Sequence, residues 1–102
     1  MKKLTAFVKP FKLETILGRL PEGGIAEILI GEVRGYGRQK SHLEQYQSGE
    51  YELAFLPKVK LEIYCEDDAL AVLEQAILDG ARTGRIGDGK MAVTTVELDE
   101  AF

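Results

Sequence analysis

The chain has 102 residues, 45% of them hydrophobic, enough for one hydrophobic core and too few for two. Thirteen Lys and Arg against seventeen Asp and Glu leave a formal net charge of −4, which excludes global attraction to nucleic acid or an anionic membrane surface, so any anion site must be a local cluster. The longest apolar runs are a few residues, too short for a signal core or a membrane span, and a cytoplasmic protein with one domain over residues 1–102 is expected.

Leu4, Ala6 and Val8 alternate with Lys3, Thr5 and Phe7 ahead of Lys9-Pro10, the period-two pattern of a first strand. Leu13, Ile16, Leu17 and Leu20 fall at i, i+3, i+4 and i+7, the stripe of an amphipathic helix of about three turns. Pro21-Glu22-Gly23-Gly24 ends it. Residues 25–36 are rich in β-formers and predict a second strand, with Gly31 the candidate bulge or point of close approach. From Gly37 to Ala54 the pattern lapses into a polar stretch too long for a tight hairpin, and loops of this length in small domains usually serve a function.

Val59, Leu61 and Ile63 alternate with Lys58, Lys60, Glu62 and Tyr64 to give a third strand. Cys65 follows as the sole cysteine, so one subunit can form neither a disulfide nor a thiolate metal cage, and a buried, inert thiol is expected. Asp67-Asp68 supplies N-cap and dipole chemistry to a second helix. Its apolar face carries Leu70, Leu73, Ile77 and Ala81, and it stops at Gly84 with Arg82 near its end. Residues 91–98 predict a final strand.

The order strand-helix-strand, repeated, is the split βαβ pattern of an α+β ferredoxin-like fold, βαββαβ, with both helices on one sheet face. The opposite face keeps Phe7, Leu29 and Tyr64, which a monomer would leave wet, so an oligomer is expected.

Thr83-Gly84-Arg85-Ile86-Gly87-Asp88-Gly89-Lys90 holds three glycines whose backbone N–H groups can converge on an anion, flanked by Arg85 and Lys90. Gly84 to Lys90 fits the spelling of a phosphate loop, but Met91 replaces the magnesium-holding hydroxyl and the segment runs from helix to strand, the reverse of such a loop. A plain turn and an anion site both remain open. Gly35-Tyr36-Gly37-Arg38-Gln39-Lys40 is a second cluster that suits carboxylate or phosphate, or is a solvated basic loop. His42 with Glu44 is too weak a pair for a metal centre. There is no Ser-His-Asp or Cys-His set, and no catalytic role is expected.

Taken together, Lys9-Pro10-Phe11-Lys12-Leu13, Val33 to Lys40, Glu50-Tyr51, Phe55 to Glu62 and Thr83 to Lys90 resemble the PII nitrogen-regulator family over nearly the whole chain. The resemblance implies a signal transducer, not an enzyme, built as a ferredoxin-like homotrimer. Its inter-subunit clefts would bind adenine nucleotide, as ATP, ADP or AMP. Segment 37–55 would be the T-loop that meets partners, and segment 82–90 the B-loop. Gly35, Gly37, Arg38, Gly87, Asp88, Gly89 and Lys90 would cradle the phosphates, with Glu62 and Tyr64 near the base. Gln39 would touch the nucleotide and help hold a Mg2+ ion bridging ATP and 2-oxoglutarate, which Lys58 and Gly87 would also contact. Tyr51 matches the family's uridylylation site. An ammonium transporter or an adenylyltransferase would be the partner, without nucleic acid and without membrane insertion.

Several positions depart from the family's pattern. Members usually continue past the fourth strand into a segment with two arginines on the phosphates, where this chain has Leu98-Asp99-Glu100-Ala101-Phe102. Leu29 and Gly31 stand where small hydroxyl residues are common, and Tyr64 is bulkier than the usual aliphatic. Charge-assisted contacts are worth about 1.5–3 kcal/mol each, so losing two implies ATP binding weakened about a hundredfold or more. The alternative is therefore a PII-like regulator with weak or altered nucleotide binding that controls another membrane transporter, for metal or bicarbonate.

Overall fold

Alternation along the strands sets the layering of the molecule. The computed structural model describes residues 1–37, 54–85 and 87–102. Four strands, β1 (Lys2–Val8), β2 (Ile25–Gly37), β3 (Ala54–Cys65) and β4 (Gly89–Thr95), form one antiparallel sheet in the order β2-β3-β1-β4. Two helices, α1 (Leu13–Arg19) and α2 (Leu70–Ala81), pack against each other. This is the α+β ferredoxin-like arrangement predicted by the element order.

The core lies between helices and sheet. Leu4, Ala6 and Val8 of β1 and Val59, Leu61, Ile63 and Cys65 of β3 are buried together with Ile16 of α1 and Leu73 and Ile77 of α2. Each large aliphatic side chain so buried contributes about 1.5–3 kcal/mol relative to exposure. A Cβ at Gly80 would stand 2.9 Å from both Cα and Cγ1 of Ile16, so glycine is what lets the two helices cross this closely. Cys65 is fully buried and free, and burial pushes its thiol pKa up, the inert state expected.

Several boundaries differ from the sequence reading for local reasons. A 3₁₀ turn (Pro10–Lys12) precedes α1, and the α-helix stops at Arg19 because Leu20 is already extended, at ψ 143°. The residue before a proline is disfavoured in the α region, and Pro21 imposes that here. The bulge in β2 falls between Ile25 and Glu27, while Gly31 pairs regularly with Lys60. Asp67 and Asp68 sit in a 3₁₀ turn (Asp67–Ala69) without capping through their side chains, and Asp67 instead pairs with the Met1 amino group at 3.0 Å. β3 begins earlier than expected, and Pro57 lies opposite Arg34, beyond the last β1 pairing at Val8 and Val59. Its missing N–H therefore removes no bond from the β1 ladder. β4 begins at Gly89 and ends at Thr95, two residues ahead of the expected start and three short of the expected end.

Side chains of alternate parity line the other face of the sheet. Phe7, Leu29, Val33 and Tyr64 lie there, and Leu29 is 45% exposed. Among the described residues no helix is long and apolar enough to cross a membrane.

Candidate functional site

At one end of the open face, register brings distant segments together. Phe7 of β1 pairs with Lys90 of β4 and with Lys60 of β3, and Val33 of β2 pairs with Lys58 of β3. The turn from α2 into β4 closes the same end, and its shape has an identifiable cause. The carboxylate of Asp88 accepts hydrogen bonds from the backbone N–H groups of Thr83 at 2.7 Å, Gly84 at 3.0 Å and Arg85 at 3.3 Å, and from the Thr83 hydroxyl. Lys9 donates to the same carboxylate at 3.0 Å. The Thr83 hydroxyl, then the Thr83 N–H, and Lys9 hold the Asp88 carboxyl well below its ordinary pKa.

Gly87 adopts φ 91°, a backbone state that L side chains seldom take, and its carbonyl accepts a hydrogen bond from Lys58 Nζ at 3.0 Å. Burial lowers the Lys58 pKa, the charges of Lys9 and Lys90 lower it further, and Asp88 acts in the opposite sense. The result is a cavity of about 370 Å³ lined by Phe7, Val33, Arg34, Gly35, Lys58, Gly87, Gly89 and Lys90. Arg34, Lys58 and Lys90 supply three cations to its wall, with glycine backbone between them and one aromatic ring. Such a lining suits a multiply charged anion that also carries a flat ring.

The family model described as nitrogen regulatory protein P-II matches residues 1–99. The chain belongs to the P-II family. Relatives named nitrogen regulatory protein P-II from Azospirillum brasilense and from Haemophilus influenzae are each 50% identical over 97 residues, covering 95% of this chain and 87% of their own length. The protein of that name from Mesorhizobium japonicum is 48% identical with the same coverage. Nitrogen regulatory signal transduction is thus the functional family of the chain.

Of the residues expected at the P-II nucleotide site, Gly35, Gly87, Gly89 and Lys90 line this one cavity together with Lys58, the residue expected at 2-oxoglutarate. Asp88 adjoins it, with its carboxylate pointing into the turn and bonded to the amides of Thr83, Gly84 and Arg85. Glu62 pairs with Lys60 at 3.3 Å and Lys3 at 3.8 Å. At about 3.3 Å per residue, Glu62 lies roughly 13 Å and Tyr64 roughly 20 Å along β3 from Lys58, outside the cavity of their own chain. Gly37 ends β2. Arg38, Gln39, His42, Glu44 and Tyr51 lie outside the described residues, and with them most of the segment read as the T-loop. Among the described residues no group of three or more His, Cys, Asp or Glu is arranged to hold a metal.

Lys9, Phe7, Arg34 and Thr83 were not singled out as site residues from sequence. A signal for Lys9 existed. Continuing the parity of Lys3, Thr5 and Phe7 places residue 9 on the open face just past β1, beside the start of β4.

Proposed function

We propose that this P-II chain is a signal transducer that senses adenine nucleotide, together with 2-oxoglutarate and Mg2+, at clefts between the subunits of a homotrimer, and that segment 37–55 reports the bound state to partners in nitrogen metabolism. The observation that carries this reading is the convergence of Gly35, Lys58, Gly87, Gly89 and Lys90, from three strands and one turn, on a single cavity. The donor set fits the group. Glycine backbone at 35, 87 and 89 admits close approach of phosphate oxygens, and Lys90 supplies charge. Lys58 would take a carboxylate of 2-oxoglutarate. Gly37, Arg38 and Gln39 would complete the phosphate and Mg2+ contacts from the end of β2.

Asp88 serves this site as the organiser of the turn. By satisfying three amides and Lys9, it fixes where the Gly87 and Gly89 backbone stands. Glu62 and Tyr64, too distant along β3 to reach the same cavity, would approach the base from a neighbouring subunit. That division of labour, and the apolar face carrying Phe7, Leu29 and Tyr64, supports the trimer. The bound state would act by population shift, since ligand charge at the loop's two roots favours one loop conformer and partners read it. An ammonium transporter or an adenylyltransferase is the partner class this reading favours, and no bond is broken.

Isothermal titration calorimetry with ATP, ADP and AMP, with and without 2-oxoglutarate and Mg2+, tests the proposal. Lys90→Ala should weaken the best nucleotide about tenfold to a hundredfold, the loss of one charge-assisted phosphate contact. Absence of heat with every nucleotide up to about 1 mM, the weak limit of useful affinity, overturns it.

A further inference from the structure

Phe7 and Lys90 are directly opposed across the β1–β4 ladder and both line the cavity. The Lys90 ammonium stands 5.2 Å from the centroid of the Phe7 ring, within the range of a cation–π contact. Lys58 is different, because its ammonium is tied to the Gly87 carbonyl. Among the described residues no ion pair involves Lys90. Lys90 can therefore leave its resting contact without breaking a salt bridge.

One ring face serves one guest at a time, an ammonium or a planar base. One ammonium likewise serves the ring or an incoming anion. We propose that Lys90 resting on Phe7 is an internal cap on the cleft, displaced in full only by a ligand that brings an anion and a flat ring together. This rests on the reading that the cavity takes a nucleotide. A phosphate draws Lys90 off the ring and uncovers a face on which the base then stacks. The base in turn holds that face and leaves Lys90 to the phosphate. The two halves of the ligand thus bind with positive, reciprocal coupling, and the site discriminates nucleotides from free polyphosphate and from free nucleoside.

Phe7→Leu removes the ring and keeps an apolar side chain on the strand. Calorimetry compares this variant with the wild type against inorganic tripolyphosphate, adenosine and ATP. Tripolyphosphate should bind the variant about two- to fivefold tighter, the equilibrium worth of an exposed cation–π contact, and adenosine should bind it more weakly. In the wild type alone, tripolyphosphate should tighten adenosine by a similar factor. An NMR readout needs no variant. The Lys90 side-chain methylene protons should be shifted upfield by the Phe7 ring in the free protein and return toward ordinary values when ATP is added. Equal or weaker tripolyphosphate binding by a folded variant overturns the cap. So does ATP binding that leaves the Lys90 resonances unmoved, and that result leaves the nucleotide reading standing. No binding of any of the three probes to either protein overturns both. Should the variant fail to fold, the Lys90 resonances of the wild type with and without ATP decide the matter.

Discussion

Gly89→Ala is the substitution whose cost is most directly worked from the geometry. Gly89 begins β4 with φ 153° and pairs with Val8, and a Cβ there would collide with the carbonyl oxygen of Phe7. The obstacle is backbone, so no change of rotamer relieves it. Overpacking of this kind costs about 1–3 kcal/mol, and holding an L residue at such a φ costs roughly 1–3 kcal/mol more. The expected loss is therefore about 2–6 kcal/mol, a large share of the ~5–15 kcal/mol that small proteins possess. Gly18→Ala is the control, because Gly18 lies within α1 and, among the described residues, nothing stands within 4 Å of the point a Cβ would occupy. Alanine there should stabilise by about 0.5–1 kcal/mol. Urea unfolding followed by circular dichroism measures both. A Gly89→Ala protein within ~0.5 kcal/mol of the wild type, the usual range of a neutral surface change, or equal losses in the two variants, would refute the reasoning.

Three further outcomes follow from the same geometry. Gly80→Ala, whose Cβ would stand 2.9 Å from Ile16, should destabilise by about 1–3 kcal/mol in the same urea assay by forcing the helices apart. Asp88 has a folded pKa depressed below its ordinary 3.8, so as pH falls the unfolded chain takes up the proton first. Its contribution is complete above that ordinary value and lost as pH falls toward the folded one. Urea midpoints measured between about pH 4.5 and 2 should accordingly fall less steeply for Asp88→Asn than for the wild type. Lys58 has a pKa below its ordinary 10.5, so it sheds its charge at a lower pH than a free lysine does. If Lys58 holds a carboxylate of 2-oxoglutarate as proposed, binding followed by calorimetry up the alkaline limb should weaken before that value is reached, and Lys58→Met should remove that dependence along with most of the affinity.

Much of the fold was legible because it depends on short-range periodicity. Leu4, Ala6 and Val8, and Val59, Leu61 and Ile63, declare their faces two residues at a time, and the polar stretch after Gly37 breaks the pattern plainly. Boundaries were less legible where one neighbour outweighs the pattern, as when Pro21 drives Leu20 out of the helix that its apolar side chain would otherwise extend. The bulge near Ala26 carries no glycine to advertise it, whereas Gly31, which does, is paired regularly. Asp67 has the chemistry of a helix cap, but the Met1 amino group competes for it from across the fold.

The site was legible as composition and opaque as geometry. Glycines and cations at 35–40 and 83–90 suggested an anion and the family resemblance added Lys58, yet only the strand register brings Gly35, Lys58 and the 87–90 turn to one cavity. The inward aim of the Asp88 carboxylate depends on how Thr83, Gly84 and Arg85 turn their N–H groups, which spacing does not specify. Glu62 and Tyr64 share a strand and a face with Lys58, but strand rise alone separates them from its cavity.

The central claim is that the turn at 87–90 and the β2 end at Gly35 bind one nucleotide together. A two-dimensional amide NMR titration of the intact protein with ATP tests it most directly. Concerted, saturable shifts with a common dissociation constant are expected at the amides of Gly35, Gly87, Gly89 and Lys90. Saturable shifts confined to other parts of the chain, or movement at 87–90 while Gly35 stays still, would contradict it.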